Sequence, residues 1–233
     1  GVIVAIQGLG GWLEWPMKVF SFLGSEQFFI LVLPVLYSSV DSALGIRVGM
    51  ILLFSGAFNQ TIKLVFAGPR PYWVSAQVKP FVAETTFGVP SGHSQNAAGV
   101  WGIAAGYFRK PWGWIAAIAV VFFIGFSRMY LGAHFLHDVL LGWTLGFLTL
   151  WAFLSLWDRV SGWLLKLNFM QQTLLAFGIS LLFILVSVLL VNRLAGFVLP
   201  AEWLTNALRA GEEPVPVSIN SVITSAASFF GLV

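Results

Sequence analysis

Three separated stretches of this chain carry residue types able to handle a phosphoryl group. "KLVFAGPRP" runs from Lys63 to Pro71, "PSGH" from Pro90 to His93, and "SRMYLGAHFLHD" from Ser127 to Asp138. Lys63 and Arg70 are two cations separated by a Gly-Pro break. On such a bent connector they can grip one multiply charged anion, the guanidinium bidentately and the ammonium as a point charge. Taken singly, each is better explained as a basic side chain snorkelling to a membrane interface.

"PSGH" makes Ser91 a helix N-cap, so the amides of the following turn point outward, where the helix end attracts anions. Gly92 permits close backbone approach. His93 sits in that first turn, placed to give a proton to a bound phosphate ester. The plainer alternative is a capped helix with an interfacial histidine. In the third stretch His134 and Asp138 are four apart, which on a helix puts them on one face within hydrogen-bond reach. A carboxylate that keeps one ring nitrogen protonated leaves the other free to attack. The logic is that of a triad's base and orienter, with the histidine itself as nucleophile. A structural His–Asp pair is the alternative. Arg128 can fold back toward His134 across Leu131-Gly132. His137 points to another face of the helix and reads as interfacial or structural. His134, His137 and Asp138 are conceivable metal ligands, but no third histidine or glutamate helix motif joins them. The three basic residues argue for an anion, so no metal and no cofactor are expected.

The elements that position these residues are membrane helices. Of 233 residues, 58% are hydrophobic and 9% charged, and the mean hydropathy is +0.89. A soluble domain carries about 25% charged residues. The net charge of +3 comes without basic runs, so no nucleic-acid partner is expected. With no cysteine there is no disulfide framework and no thiolate metal site. The N-terminus lacks a basic region followed by a cleavage site, so no signal peptide is expected.

Hydropathy predicts an all-α polytopic bundle of about six transmembrane helices plus interfacial helices. Residues 1–24 read as an interfacial helix, with a distorted span as the alternative. Spans are expected over 26–40, 48–66, 91–107, 114–130, 134–157 and 171–191. Residues 67–90 read as a polar excursion in which Tyr72 and Trp73 are interface-like. Residues 158–168 read as a turn, 200–216 as a loop and 217–233 as an interfacial segment. A single membrane domain over 1–233 is expected, with its core at about 20–160 and an extra span and tail at about 165–233. Gly102 with Gly106, and Gly142 with Gly146, have the small-xxx-small spacing of close helix packing. That contact would bring His93 and His134 to one pocket. Arg47, Arg109, Lys110, Arg159 and Lys166 fall in three short turns on one face, the cytoplasmic one by the excess of basic residues. Ser91, His93, Arg128 and His134 then lie outside. Lys63, Arg70 and Arg128 are also basic and outside, but as site residues they are left out of that count.

The order K-x6-R-P, P-S-G-H, S-R-x5-H-x3-D resembles the type 2 phosphatidic acid phosphatase family in its integral-membrane branch, over roughly residues 20–160. "FLGSEQFF" and "FGVPSGHSQN" look like bacterial lipid phosphatases and their sphingosine-phosphate and dolichyl-pyrophosphate relatives. The resemblance implies metal-independent hydrolysis of a lipid phosphate through a phosphohistidine. His134 would be the nucleophile, Asp138 its orienter and His93 the proton donor. Lys63, Arg70 and Arg128, with the backbone amides of Ser91 and Gly92, would hold the phosphoryl oxygens. Asn59, Gln60, Gln95, Asn96 and Glu84 would shape the head-group pocket, although helix-to-helix hydrogen bonding is the plainer role for most of them. The expected partners are a lipid phosphate and the bilayer. The expected location is the cytoplasmic membrane of a bacterium, with the site facing the periplasm or exterior. A lipid phosphotransferase would share the whole site. A transporter or scramblase would carry polar groups to the midplane, whereas here they crowd one face. Vanadium-dependent haloperoxidases resemble the anion-binding stretches but are soluble.

Overall fold

Capping chemistry sets the helix boundaries. In a computed structural model that describes residues 1–232, Asp41 caps α4 (Ser42–Phe66), accepting from the Leu44 amide at 3.0 Å. Ser91 caps α6 (Gly92–Phe108), and Arg109 ends it in the left-handed conformation. Pro111 opens α7 (Pro111–Tyr130), at a position where its missing N–H breaks no intrahelical bond. The remaining helices are α1 (Val2–Gln7), α2 (Glu14–Phe22), α3 (Glu26–Val35), α5 (Pro71–Val74), α8 (Leu136–Leu164), α9 (Phe169–Arg193), α10 (Ala201–Leu208) and α11 (Asn220–Leu232). No strand occurs among the described residues.

The all-α membrane bundle is as expected; length and apolarity alone do not confirm the count of six. Four helices are long and apolar enough to cross a membrane: the one starting at Ser42, α7, α8 and α9. The segments Gly11–Phe22 and Glu26–Val40, bent by 51°, make a fifth if taken as one broken span. The expected interfacial helix over 1–24 and the expected short span over 26–40 are thus joined across a sharp bend, as a broken span or a re-entrant pair. α6, at 17 residues, is short for a hydrocarbon core of about 30 Å. It is enclosed instead by α4, α7 and α8.

Glycines make that enclosure tight. A Cβ at Gly142 of α8 would stand 2.6 Å from the Ser91 carbonyl oxygen, and one at Gly146 would stand 2.7 Å from the Ala98 Cβ. The expected contact between the two histidine-bearing helices is therefore present. Gly102 faces Leu150, while Gly106 meets nothing and plays no part in it.

Several expected boundaries move. α4 begins at Ser42 rather than 48, because Asp41 is a cap and not part of a longer turn. α8 starts after His134 and continues through the expected turn to Leu164. Tyr72 and Trp73 are buried, packed with Phe87, Met129 and Val139 under the connector, so they are core rather than interface. The expected loop at 200–216 contains α10, whose Asn206 donates to the Trp73 carbonyl at 3.0 Å. The expected interfacial segment is α11, which packs against α4 and α9. It is short for a span, which made it read as interfacial; its Thr224 Oγ1 donates within the helix, to the Asn220 carbonyl at 3.0 Å.

Candidate active site

The last turn of α4, the connector from Ala67 to Pro90, the start of α6, the end of α7 and the start of α8 meet at one end of the bundle. Arg70, just before α5, is fully buried. Its Nε donates to the Thr86 carbonyl at 2.7 Å, Nη2 to the Phe87 carbonyl at 3.0 Å and Nη1 to the Ala133 carbonyl at 3.1 Å. Such a guanidinium is locked in place, joining the connector to the α7–α8 turn. Lys63 Nζ donates to Thr86 Oγ1 at 3.0 Å.

His134 sits between a cation and a carboxylate. Its Nε2 is 3.3 Å from Arg70 Nη1, and its Nδ1 is 3.3 Å from Asp138 Oδ2. Arginine has only donors, so the Nε2 that meets it carries the lone pair and Nδ1 carries the proton. Asp138 Oδ2 also accepts from the Phe135 amide at 2.8 Å. His134 thus precedes the helix rather than lying on it, and Asp138, in the first turn, reaches back over the helix start to hold it. Burial, then Arg70, Arg128, Lys63 and His93, pulls the His134 imidazole well below its ordinary range. The ring is therefore neutral near pH 7, as a nucleophile requires.

Two neighbours differ from expectation. The Arg128 guanidinium pairs with Glu84 and donates to Ser21 Oγ at 2.7 Å; it is the Arg128 carbonyl that accepts from the His134 amide, at 3.2 Å. His137 does not point away: its ring is exposed, yet its Nε2 lies 2.9 Å from Asp138 Oδ1.

Ser91 departs further. Its amide donates to the Asp138 carbonyl at 3.0 Å, so that N–H is not available to a phosphoryl oxygen. Its hydroxyl accepts from Ser94 Oγ at 2.9 Å. Gly92 and His93, the first two helical residues, keep amides with no intrahelical partner. Asn59, Gln95, Ser55 and Asn96 form the helix-to-helix network that was the plainer reading: Asn59 Nδ2 donates to Gln95 Oε1 at 2.8 Å, and Ser55 Oγ to Asn96 Oδ1 at 2.8 Å.

A cavity of about 240 Å³ opens on this cluster, lined among others by Lys63, Glu84, Gly92, His93, Asn96 and His134. Glu84 is more central than the sequence suggested. Burial alone would raise its carboxyl, but Arg70 and Arg128, then His93 and Lys63, hold it far below the usual carboxylate range. The available signal was that Glu84 is the sole acidic residue between Lys63 and Pro90. Ser21 and Thr86 carried no such signal.

The sequence profile of the PAP2 superfamily matches residues 44–161, which contain all three stretches. The chain belongs to the PAP2 superfamily. Among its PAP2-type relatives is phosphatidylglycerophosphatase B of Bacillus subtilis (strain 168), 30% identical over 59% of this chain and 71% of that one. Glucose-6-phosphatase catalytic subunit 1 of Felis catus is 27% identical over 72% of this chain, which spans about half (55%) of that protein. A probable sphingosine-1-phosphate phosphatase of Dictyostelium discoideum is 30% identical over 60% of this chain and 38% of its own length. The fold is similar to the crystal structure of a transmembrane PAP2 type phosphatidylglycerolphosphate phosphatase from Bacillus subtilis. That likeness has a TM-score of 0.59 and 25% identity, over 68% of this chain and 86% of that one. Aquifex aeolicus LpxE shares the fold, with a TM-score of 0.56 and 20% identity, over 66% and 93% of the two chains. α9 to α11 lie beyond the PAP2 match.

Proposed function

We propose that the chain is a PAP2-type phosphatase that hydrolyses phosphate monoesters of membrane lipids without a metal ion, through a phosphohistidine on His134. Membership of the superfamily, and relatives that are membrane phosphatases, support a phosphoric monoester hydrolase embedded in a bilayer. The observation that carries the mechanism is the His134 tautomer: proton on Nδ1 toward Asp138, lone pair on Nε2 toward Arg70.

In the first step Nε2 attacks phosphorus, and the bond to the ester oxygen breaks. His93 gives that oxygen its proton, so an alcohol leaves. In the second step water attacks the phosphohistidine, His93 takes a proton from it, and inorganic phosphate is released with Nε2 restored. Lys63, Arg70, Arg128 and the Gly92 amide hold the non-bridging oxygens. Electrostatic stabilisation of the phosphoryl group is the main contribution expected in such chemistry.

Lipid phosphates are the proposed substrates, in line with relatives named for phosphatidylglycerophosphate and sphingosine-1-phosphate. The site is proposed to face the exterior of a bacterial cytoplasmic membrane. Arg47, Arg109, Lys110, Arg159 and Lys166 support this, standing at the ends of α4, α6, α7 and α8 opposite the site. The test is phosphate release by purified protein from a panel of lipid phosphates, with and without chelator. Release that needs no metal supports the proposal; release restored only by a metal overturns it.

A further inference from the structure

Building on the proposed phosphatase function, we infer that the Glu84 carboxylate sits where a substrate's phosphoryl oxygens must bind. Substrate enters by displacing it, which makes Glu84 a specificity-determining residue. One carboxylate bridges two guanidiniums: Oε1 contacts Arg128 Nη2, and Oε2 is 3.5 Å from Arg70 Nη2. Both arginines are buried and neither lines the cavity, whereas Glu84 lines it beside Lys63, His93 and His134. The carboxylate therefore stands between the cavity and the two cations proposed to grip phosphate. Each arginine meets one oxygen of Glu84, and a phosphate oxygen can take such a place by the same charge-assisted chemistry.

Charge explains why such an occupant is there. Lys63, Arg70 and Arg128 would repel one another in a buried site, and a buried charge without a partner is strongly destabilising. Glu84 supplies the counter-charge when no substrate is bound. Its release is local. The backbone is held by Tyr72, whose Oη accepts from the Glu84 amide at 3.0 Å and donates to the Glu84 carbonyl at 3.1 Å. The side chain is tied by its two ion pairs, so rotation into the cavity opens the Arg128 Nη2 edge and leaves the backbone in place. Arg70, whose N–H groups stay bonded to Thr86, Phe87, Ala133 and His134, contributes its charge. Glu26 also lines the cavity and disfavours the released carboxylate, so only a strong competitor displaces it. A phosphomonoester dianion brings two charges against the single charge of Glu84. A phosphodiester brings one, and gains nothing by the exchange.

The test uses Glu84→Gln with inorganic phosphate as probe, followed by calorimetry and by thermal shift in detergent. The expected result is phosphate affinity higher by about tenfold, the scale of one charge-assisted hydrogen bond. The variant should melt lower than wild type without phosphate and gain more from adding it. Its preference for phenyl phosphate over diphenyl phosphate should shrink. Unchanged or weaker phosphate binding overturns the inference. Should the variant fail to fold, hydrogen exchange on the wild type decides: orthovanadate should speed exchange of residues 83–86, and slowed or unchanged exchange overturns it. The two proposals fail separately. Phosphate affinity unmoved by Glu84→Gln, with turnover still lost in His134→Ala, sinks only the displacement; turnover surviving in His134→Ala sinks the phosphatase mechanism.

Discussion

The Ser91 amide donates to the Asp138 carbonyl at 3.0 Å, so the two helix starts that carry the site are bonded directly to each other. That bond fixes the turn holding His93 against the turn holding His134. It needs the backbones close, and Gly142 allows it. Gly142→Ala should force α6 and α8 apart, at a cost of about 1–3 kcal/mol in stability. Activity should fall by more than about tenfold, since small misplacements of reacting groups are expensive. Gly106→Ala, which meets no neighbour within 4 Å, should change neither. Full activity in Gly142→Ala would show that this approach is not required.

His93 should matter in proportion to how poor the leaving group is. His93→Gln should lower turnover of an alkyl phosphate by about 10²–10⁴-fold, the usual worth of a general acid. Phosphorylation by p-nitrophenyl phosphate, whose leaving group needs no proton, should be nearly spared. Equal losses with both esters would remove His93 from the acid role.

Acid should weaken the protein through two groups. The folded-state value of His134 is depressed by burial and by the cations around it. Unfolding therefore takes up a proton, and the stability involved is complete above the unfolded value of about 6.5 and declines as pH falls below it. Glu84 is depressed too, its surrounding cations overcoming the effect of burial. Its contribution is complete above about 4.3 and is lost as pH falls toward its folded-state value. Both act in the same direction. The thermal inactivation midpoint should be level near neutrality and fall through the acid range, and Glu84→Gln should flatten the lowest part. A midpoint that rises on acidification would contradict both assignments.

The residues that cluster at the candidate site could be picked out in advance because each sits at a fixed spacing within a short stretch, and a four-residue step joins His134 to Asp138 whether or not a helix contains both. What could not be read depends on partners distant in sequence. Nothing local marks the Ser91 amide as bonded to the Asp138 carbonyl, or Arg128 as bound to Glu84 and Ser21. Tyr72 and Trp73 have the amphipathic character of interface residues, and only the packing of Phe87 and Met129 over them makes them core. Length and apolarity alone count fewer spans where the chain is bent, between Phe22 and Glu26, and at α6, whose polar first turn lines a cavity.

The most direct test of the account is to trap the covalent intermediate. His93→Gln with p-nitrophenyl phosphate should be phosphorylated without the acid and dephosphorylated slowly without the base. After an alkaline quench, which preserves phosphohistidine, peptide mass spectrometry should find the phosphate on His134 and lose it in the His134→Ala background. Steady turnover with no phosphate on His134, or with the phosphate on another residue, would contradict the mechanism.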